Sequence, residues 1–160
     1  MTDGDDAVRP LDPQEEDFLR ALMRVLVVVP RAFDSDLGRE LGLSTSEYGA
    51  LMHLSEAPRQ RLRMGDLAAA TALTQAATTR VVKCLEGKGL VQREPSAEDG
   101  RGQDAVLVAA GRACLERARP THVASARRRI FDKLDGIELA SCIAALGSIA
   151  QDHEPRRTTR

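Results

Sequence analysis

The sequence predicts a mainly α-helical fold with one small β-hairpin set into it. Three observations carry that expectation. Aromatic residues are only 2% of the 160 residues and Trp is absent, so the core has to be built from Leu, Val, Ile and Ala. Those side chains suit packed helices better than a sandwich of sheets. Apolar residues recur at three- and four-residue steps over most of the chain. One stretch breaks that period: a short strand candidate from Leu90 to Glu94 ended by Pro95, a turn-rich loop from Ser96 to Asp104, and a second strand candidate from Ala105 to Val108.

Composition narrows the class further. An apolar share of 42% is that of an ordinary globular protein, and the length fits one domain or one domain with helical extensions. A net charge of −1 excludes a generic polycation, so any nucleic-acid surface has to arise from how charge is distributed. The distribution is uneven. Asp3, Asp5, Asp6, Asp12, Glu15, Glu16 and Asp17 make the start acidic. Arg59, Arg61, Arg63, Arg80, Lys83, Lys88, Arg93 and Arg101 make the middle basic, and Arg156, Arg157 and Arg160 close the chain. Cys84, Cys114 and Cys142 have neither disulfide-framework nor zinc spacing. The strongly apolar run Val25 to Val29 is too short to span a bilayer, and the acidic start does not resemble a secretory signal. A cytoplasmic location without membrane association is expected.

Residues 1–12 read as a disordered acidic tail. A long helix is expected from Pro13 to Leu41, with Phe18, Leu22, Val29, Phe33 and Leu37 on one stripe and Leu19, Met23 and Val27 on another. Around Val25 to Val29 the helix is apolar all round, which demands burial on more than one side and points to a second protomer. Pro30 is expected to kink this helix or end its first half. Gly42 and the Ser44–Glu47 capping box separate it from a helix carrying Tyr48, Leu51, Met52 and Leu54. A short helix from Met64 to Thr71 follows, then one capped by Thr74 and running from Gln75 to Lys88. After the hairpin, helical pattern resumes from Ala109 to Leu134, interrupted by Pro120, and again from Ile137 to about Gln151. Residues 153–160 read as a second disordered tail.

Two short helices joined by a tight turn, the second followed by a hairpin, describe a winged helix-turn-helix. The second helix opens with Thr74, Gln75, Ala76, Thr78 and Thr79, followed by Arg80 and Lys83. Small side chains let a backbone approach a major groove, Gln and Thr meet base edges, and Arg grips guanine or phosphate. Val81, Val82 and Leu85 lie on the opposite face, toward the core.

The pattern Leu67-Ala68, Leu73-Thr74-Gln75, Arg80-Val81-Val82, Leu85-Glu86, Gly89-Leu90-Val91 and Arg93 resembles the recognition module of the MarR (multiple antibiotic resistance regulator) family. Asp99-Gly100-Arg101 is similar to that family's Asp-x-Arg wing signature, and the onward spacing to Leu107 and Gly111-Arg112 matches too. The resemblance covers nearly the whole chain. It implies residues 13–43 as an N-terminal dimerisation helix, 44–108 as the winged DNA-binding domain and 109–152 as C-terminal dimerisation helices. It also implies that Arg101 enters the minor groove with Asp99 orienting it, which suits a guanidinium at a hairpin tip. The implied function is a homodimeric transcriptional regulator, a repressor by default, on a palindromic double-stranded operator. Three positions depart from the family pattern: Ala72 where the turn commonly has Gly, Thr78 for Val, and Val108 for a capping Thr.

Family members often release DNA on binding a small aromatic or anionic compound between the dimerisation helices and the DNA-binding lobe. Here Tyr48, His53, Arg20 and Arg31 are the polar or aromatic candidates for such a site. Oxidant-sensing relatives carry a reactive Cys near the start of the first helix, which this chain lacks. Cys84, close in sequence to Lys83 and Lys88, is the alternative thiol switch. No phosphate loop, metal-ligand spacing or nucleophile motif is present, so no enzyme activity, cofactor or metal is expected. A winged helix that binds protein rather than DNA is the other alternative. Its surface would have no reason to gather Arg80, Lys83 and Arg101.

Overall fold

Asp12 opens the first helix. Its carboxylate accepts the amides of Gln14 and Glu15, both at 2.8 Å, while Glu15 reaches back to the Asp12 amide. That capping box starts α1 (Pro13–Leu41), and Gly42, at φ 65°, ends it in the left-handed conformation that glycine adopts without strain. The computed structural model describes residues 8–96 and 102–151. Asp12 is thus the N-cap of the first helix. Pro30 does not end α1, which runs unbroken through it.

A second capping box, Ser44 with Glu47, starts α2 (Thr45–Glu56). A 3-10 turn at Pro58–Gln60 leads into β1 (Arg61–Arg63), then α3 (Met64–Thr71), α4 (Gln75–Gly87), β2 (Val91–Pro95), β3 (Gln103–Leu107) and α5 (Ala109–Arg129). The hairpin is therefore part of a three-stranded antiparallel sheet in the order β1-β3-β2. Pro120 also fails to break its helix. A proline fixes φ near the helical value and deletes one backbone donor, and the turns on either side bury Ala118 and Ser125, which hold α5 in place.

The chain divides into two compact units, residues 1–126 and 127–160. The core of the first is aliphatic, as the composition requires. Leu37, Leu51, Leu54, Leu67, Val82, Leu85 and Ala105 are fully buried, with Leu43, Val91 and Leu115 nearly so. The lower half of α1 packs there, and its Asp36 carboxylate accepts a buried hydrogen bond at 2.7 Å from Ser125 of α5. The upper half of α1 is bare: Phe18, Leu19, Met23, Val25, Leu26, Val27 and Val28 are all at least 46% exposed. The second unit contains a 3-10 turn at Phe131–Lys133 and α6 (Leu139–Gln151), and exposes Ile143, Leu146 and Ile149.

Candidate nucleic-acid interface

The turn between α3 and α4 fixes where α4 points. Ala72 takes φ 53°, ψ 30°, its amide returning to Ala69, while the Leu73 amide closes on Ala68 at 3.1 Å. A left-handed residue with a Cβ costs about 1–2 kcal/mol. Ala72→Gly is therefore expected to raise stability by about 0.5–1 kcal/mol, a rise in Tm of a few degrees in a thermal melt, after the flexibility that glycine adds to the unfolded chain.

Thr74 then caps α4, its hydroxyl accepting the Ala77 amide at 3.2 Å. Val82 and Leu85 anchor the helix in the core, so the opposite face is presented outward: Gln75, Ala76, Thr79, Arg80 and Lys83 are exposed. No acidic side chain lies in the first turn, which leaves the positive end of the helix dipole unopposed. Among the described residues, Arg80 and Lys83 engage no hydrogen bond or ion pair. Both are free to meet an anion. Gly65, at the start of α3, leaves room for the Gln75 amide, which would lie 3.3 Å from a Cβ there.

Thr78 does not belong to this face. It is 1% exposed, and its hydroxyl donates to the Thr74 carbonyl at 3.0 Å. A side chain at that helical position points back to the core, and the local hydrogen bond is what makes a buried hydroxyl tolerable there. Thr79 donates to the Gln75 carbonyl at 2.9 Å and stays exposed.

The hairpin is tied to α4. Arg93 of β2 donates two hydrogen bonds to Glu86, at 2.7 and 3.0 Å, and Arg93, by bonding and by charge, holds the Glu86 carboxyl below its usual range. The Ser96 amide meets the Gly102 carbonyl at 2.8 Å and closes the root of the connecting loop. Asp99 and Arg101 lie outside the described residues. At the same end of α4, Lys88 bonds at 2.7 Å both to the Gly42 carbonyl and to the buried Glu47 carboxylate. Burial alone would push Glu47 up, but Lys88, the Ser44 amide and Cys84 together hold it below the ordinary carboxylate range.

A model of the MarR family matches residues 41–102. The HTH-type transcriptional repressor Rv2887 of Mycobacterium tuberculosis is 36% identical over 94 residues, a match spanning 59% of this chain and 66% of that protein. Sco3205, a MarR family regulator of Streptomyces coelicolor solved in complex with DNA, superimposes with a TM-score of 0.89 at 32% identity, over 94% of each chain. The chain belongs to the MarR family. AbsC, another MarR regulator of S. coelicolor, aligns with a TM-score of 0.83 at 33% identity, over 90% of this chain and 97% of its own. The family and these relatives are transcriptional regulators, not enzymes.

In this MarR chain the four polar or aromatic residues considered for an effector site do not come together. Tyr48 is buried, its ring stacked on His122 of α5 at 4.3 Å and 22°, and His122 also meets Phe33 of α1 at 5.0 Å. His53 instead lines a separate cleft of about 240 Å³ with Thr45, Ser46, Gly49 and Thr71. Arg20 pairs with Glu16 and Asp17, and Arg31 is exposed. Sequence reasoning missed His122, because a lone histidine in a polar helix carries no pattern. It also missed Arg119, whose charge opposes the upward push that burial gives the Tyr48 hydroxyl.

Nδ1 of His122 is buried with no hydrogen-bond partner, and burial lowers its pKa below the usual histidine value. Because the folded value is the lower one, the unfolded chain takes up this proton first as pH falls. The His122 contribution to stability is therefore complete above the unfolded value, near 6.5, and is lost as pH falls below it. Melting temperature is expected to drop between pH 7 and pH 5, with a smaller drop in His122→Phe.

Among the described thiols, Cys114 is buried and Cys84 exposed. The surroundings of Cys84 are not electropositive in effect. Hydrogen bonding to Glu47, and then its charge, push the thiol up, with Lys88 opposing only in part. A raised pKa is the reverse of what a reactive sensor thiol requires.

Proposed function

We propose that this protein is a homodimeric, sequence-specific repressor acting in the cytoplasm on palindromic double-stranded DNA. The observation that carries the reading is the outer face of α4: uncharged polar residues at its opening, then Arg80 and Lys83, without partners among the described residues, presented by an anchored helix. The similarity over 94% of the chain to a regulator solved with DNA supports the same use of that face. Gln75, Thr79 and Arg80 read base edges in the major groove while Thr74, Ala76 and Lys83 seat the helix against the backbone. Arg101, oriented by Asp99, reaches the adjacent minor groove. Dimerisation covers the apolar residues left bare on the upper half of α1 and on α6, since exposed apolar surface of that extent marks an interface. Two-fold symmetry then sets half-sites about 10 bp apart.

DNA binding is relieved by a small aromatic or anionic effector that engages the Tyr48–His122 stack, with its orphan ring nitrogen and the nearby Arg119 charge. Basal repression needs only occupancy of the promoter.

The test is an electrophoretic mobility shift of genomic fragments, including the region upstream of the protein's own gene, across a salt series, with sedimentation on the same sample. A dimer whose affinity falls steeply with salt is expected. A monomer at micromolar concentration would contradict the dimer, and absence of specific binding at low salt would favour a protein-binding winged helix. Aromatic carboxylates added to the shifted complex test the effector: release that His122→Ala abolishes without changing basal affinity is the expected result.

A further inference from the structure

The outer face of the three-stranded sheet carries charges that neither the core nor the α4 surface uses. Register places Glu94 of β2 directly opposite Asp104 of β3, and Arg63 of β1 opposite Asp104 on the other side. Two carboxylates facing each other across adjacent strands repel. Asp104 is only 6% exposed, and its Oδ1 has no hydrogen-bond partner. Left alone, this pair would splay the root of the hairpin.

Arg61 of β1 prevents it. Its guanidinium donates to Glu94, and its Nε stands 3.5 Å from the Asp104 carboxylate, so one cation from the third strand bridges both anions. The Arg61 side chain is 28% exposed and that of Asp104 9%, while Glu94, at 46%, forms the solvent-facing end of the bridge. Nothing in the core demands this arrangement, because the opposite face of the same strands is closed by Val91, Ala105 and Leu107. The bridge lies between the short strand that leads into α3 and the two strands of the wing.

We propose that Arg61 is a positioning residue for DNA binding: by bridging Glu94 and Asp104 it fixes the direction in which the β2–β3 hairpin leaves the sheet relative to α4. This rests on the DNA-binding reading above. A planar guanidinium suits the task because it donates a hydrogen bond to Glu94 while its delocalised charge stays within ion-pair distance of Asp104, whereas the compact charge of an ammonium serves one carboxylate at a time.

The experiment compares wild type, Arg61→Met, Arg61→Lys, and Arg61→Met combined with Glu94→Gln and Asp104→Asn, using the full chain. Amide hydrogen exchange without DNA reports the hairpin, and hydroxyl-radical footprinting on a selected operator reports the grooves. Arg61→Met is expected to speed exchange in β2 and β3 while α2 and α4 keep wild-type protection. It should also lose minor-groove protection beside each half-site and bind about tenfold more weakly, as for one lost contact. Arg61→Lys should recover part of the footprint, and the triple variant most of the slow exchange. Wild-type exchange in the hairpin of Arg61→Met would overturn the proposal, as would a uniform loss of protection throughout the first unit. A wild-type protein that leaves no footprint on any selected DNA would overturn the DNA reading and this role with it, while the exchange data would still show whether Arg61 holds the hairpin.

Discussion

Arg80→Ala is expected to bind selected operator DNA about thirty-fold more weakly than wild type, or worse, in a fluorescence-anisotropy titration. One good contact between arginine and a base edge contributes about 1–3 kcal/mol, and a two-fold complex contains two copies of it. The direction follows from the free protein. Arg80 is exposed and, among the described residues, bonds to nothing, so its removal costs the fold little and its whole effect falls on binding. Thermal stability should stay within about 0.5 kcal/mol of wild type, as for a surface substitution. Lys83→Ala should behave differently, weakening binding evenly across sequences and lowering the salt slope, because an ammonium neutralises phosphate without reading bases. Equal operator affinity for Arg80→Ala and wild type would remove α4 from the interface.

Gly111→Ala should be the most damaging small substitution in the described chain. A Cβ at this position would sit 2.1 Å from the Leu90 carbonyl oxygen and 2.7 Å from Cδ1 of Leu107. The first contact is with backbone, which cannot swing aside, and Leu90 is itself fastened by the Val108 amide at 3.3 Å. The first turn of α5 would have to lift from the root of the wing. Overpacking of this kind costs about 3 kcal/mol, or near 10 °C in Tm for a chain of this size. Operator affinity should fall with it, since β2 and β3 shift. Gly49→Ala is the matching control: it lies inside α2 with nothing within 4 Å of its added Cβ. That variant should gain up to about 1 kcal/mol from helix propensity. A Gly111→Ala protein that melts like wild type would mean that α5 and the wing root are not packed as described.

Much of this was legible from residues alone, for local reasons. The end of α1 and the starts of α2 and α4 follow from Gly42, Ser44 and Thr74, all of which act within a few positions of where they stand. The outward face of α4 was equally legible, because Val82 and Leu85 define its inward one. What escaped depends on distant partners. The strand Arg61–Arg63 is too short and too charged to read as a strand, and it exists because β3 pairs with it. Pro30 was expected to kink α1 or end its first half and Pro120 to interrupt α5, yet both helices continue through their prolines. Thr78 was placed on the DNA face by its polarity, but helical phase sends it to the core, where Thr74 satisfies its hydroxyl. His122 gained meaning only when folding stacked it on Tyr48. Asp99 and Arg101, the other half of the recognition pattern, lie outside the described residues and rest on the sequence pattern.

Methylation interference addresses the placement of α4 most directly. Dimethyl sulfate modifies guanine N7, which lies on the major-groove edge and is a preferred partner of arginine. On a selected operator, interfering guanines should fall into two symmetric clusters about 10 bp apart, and the interference should be lost selectively in Arg80→Ala. Binding indifferent to N7 methylation, or blocked at a single unpaired cluster, would contradict a dimer that docks one such helix in each half-site.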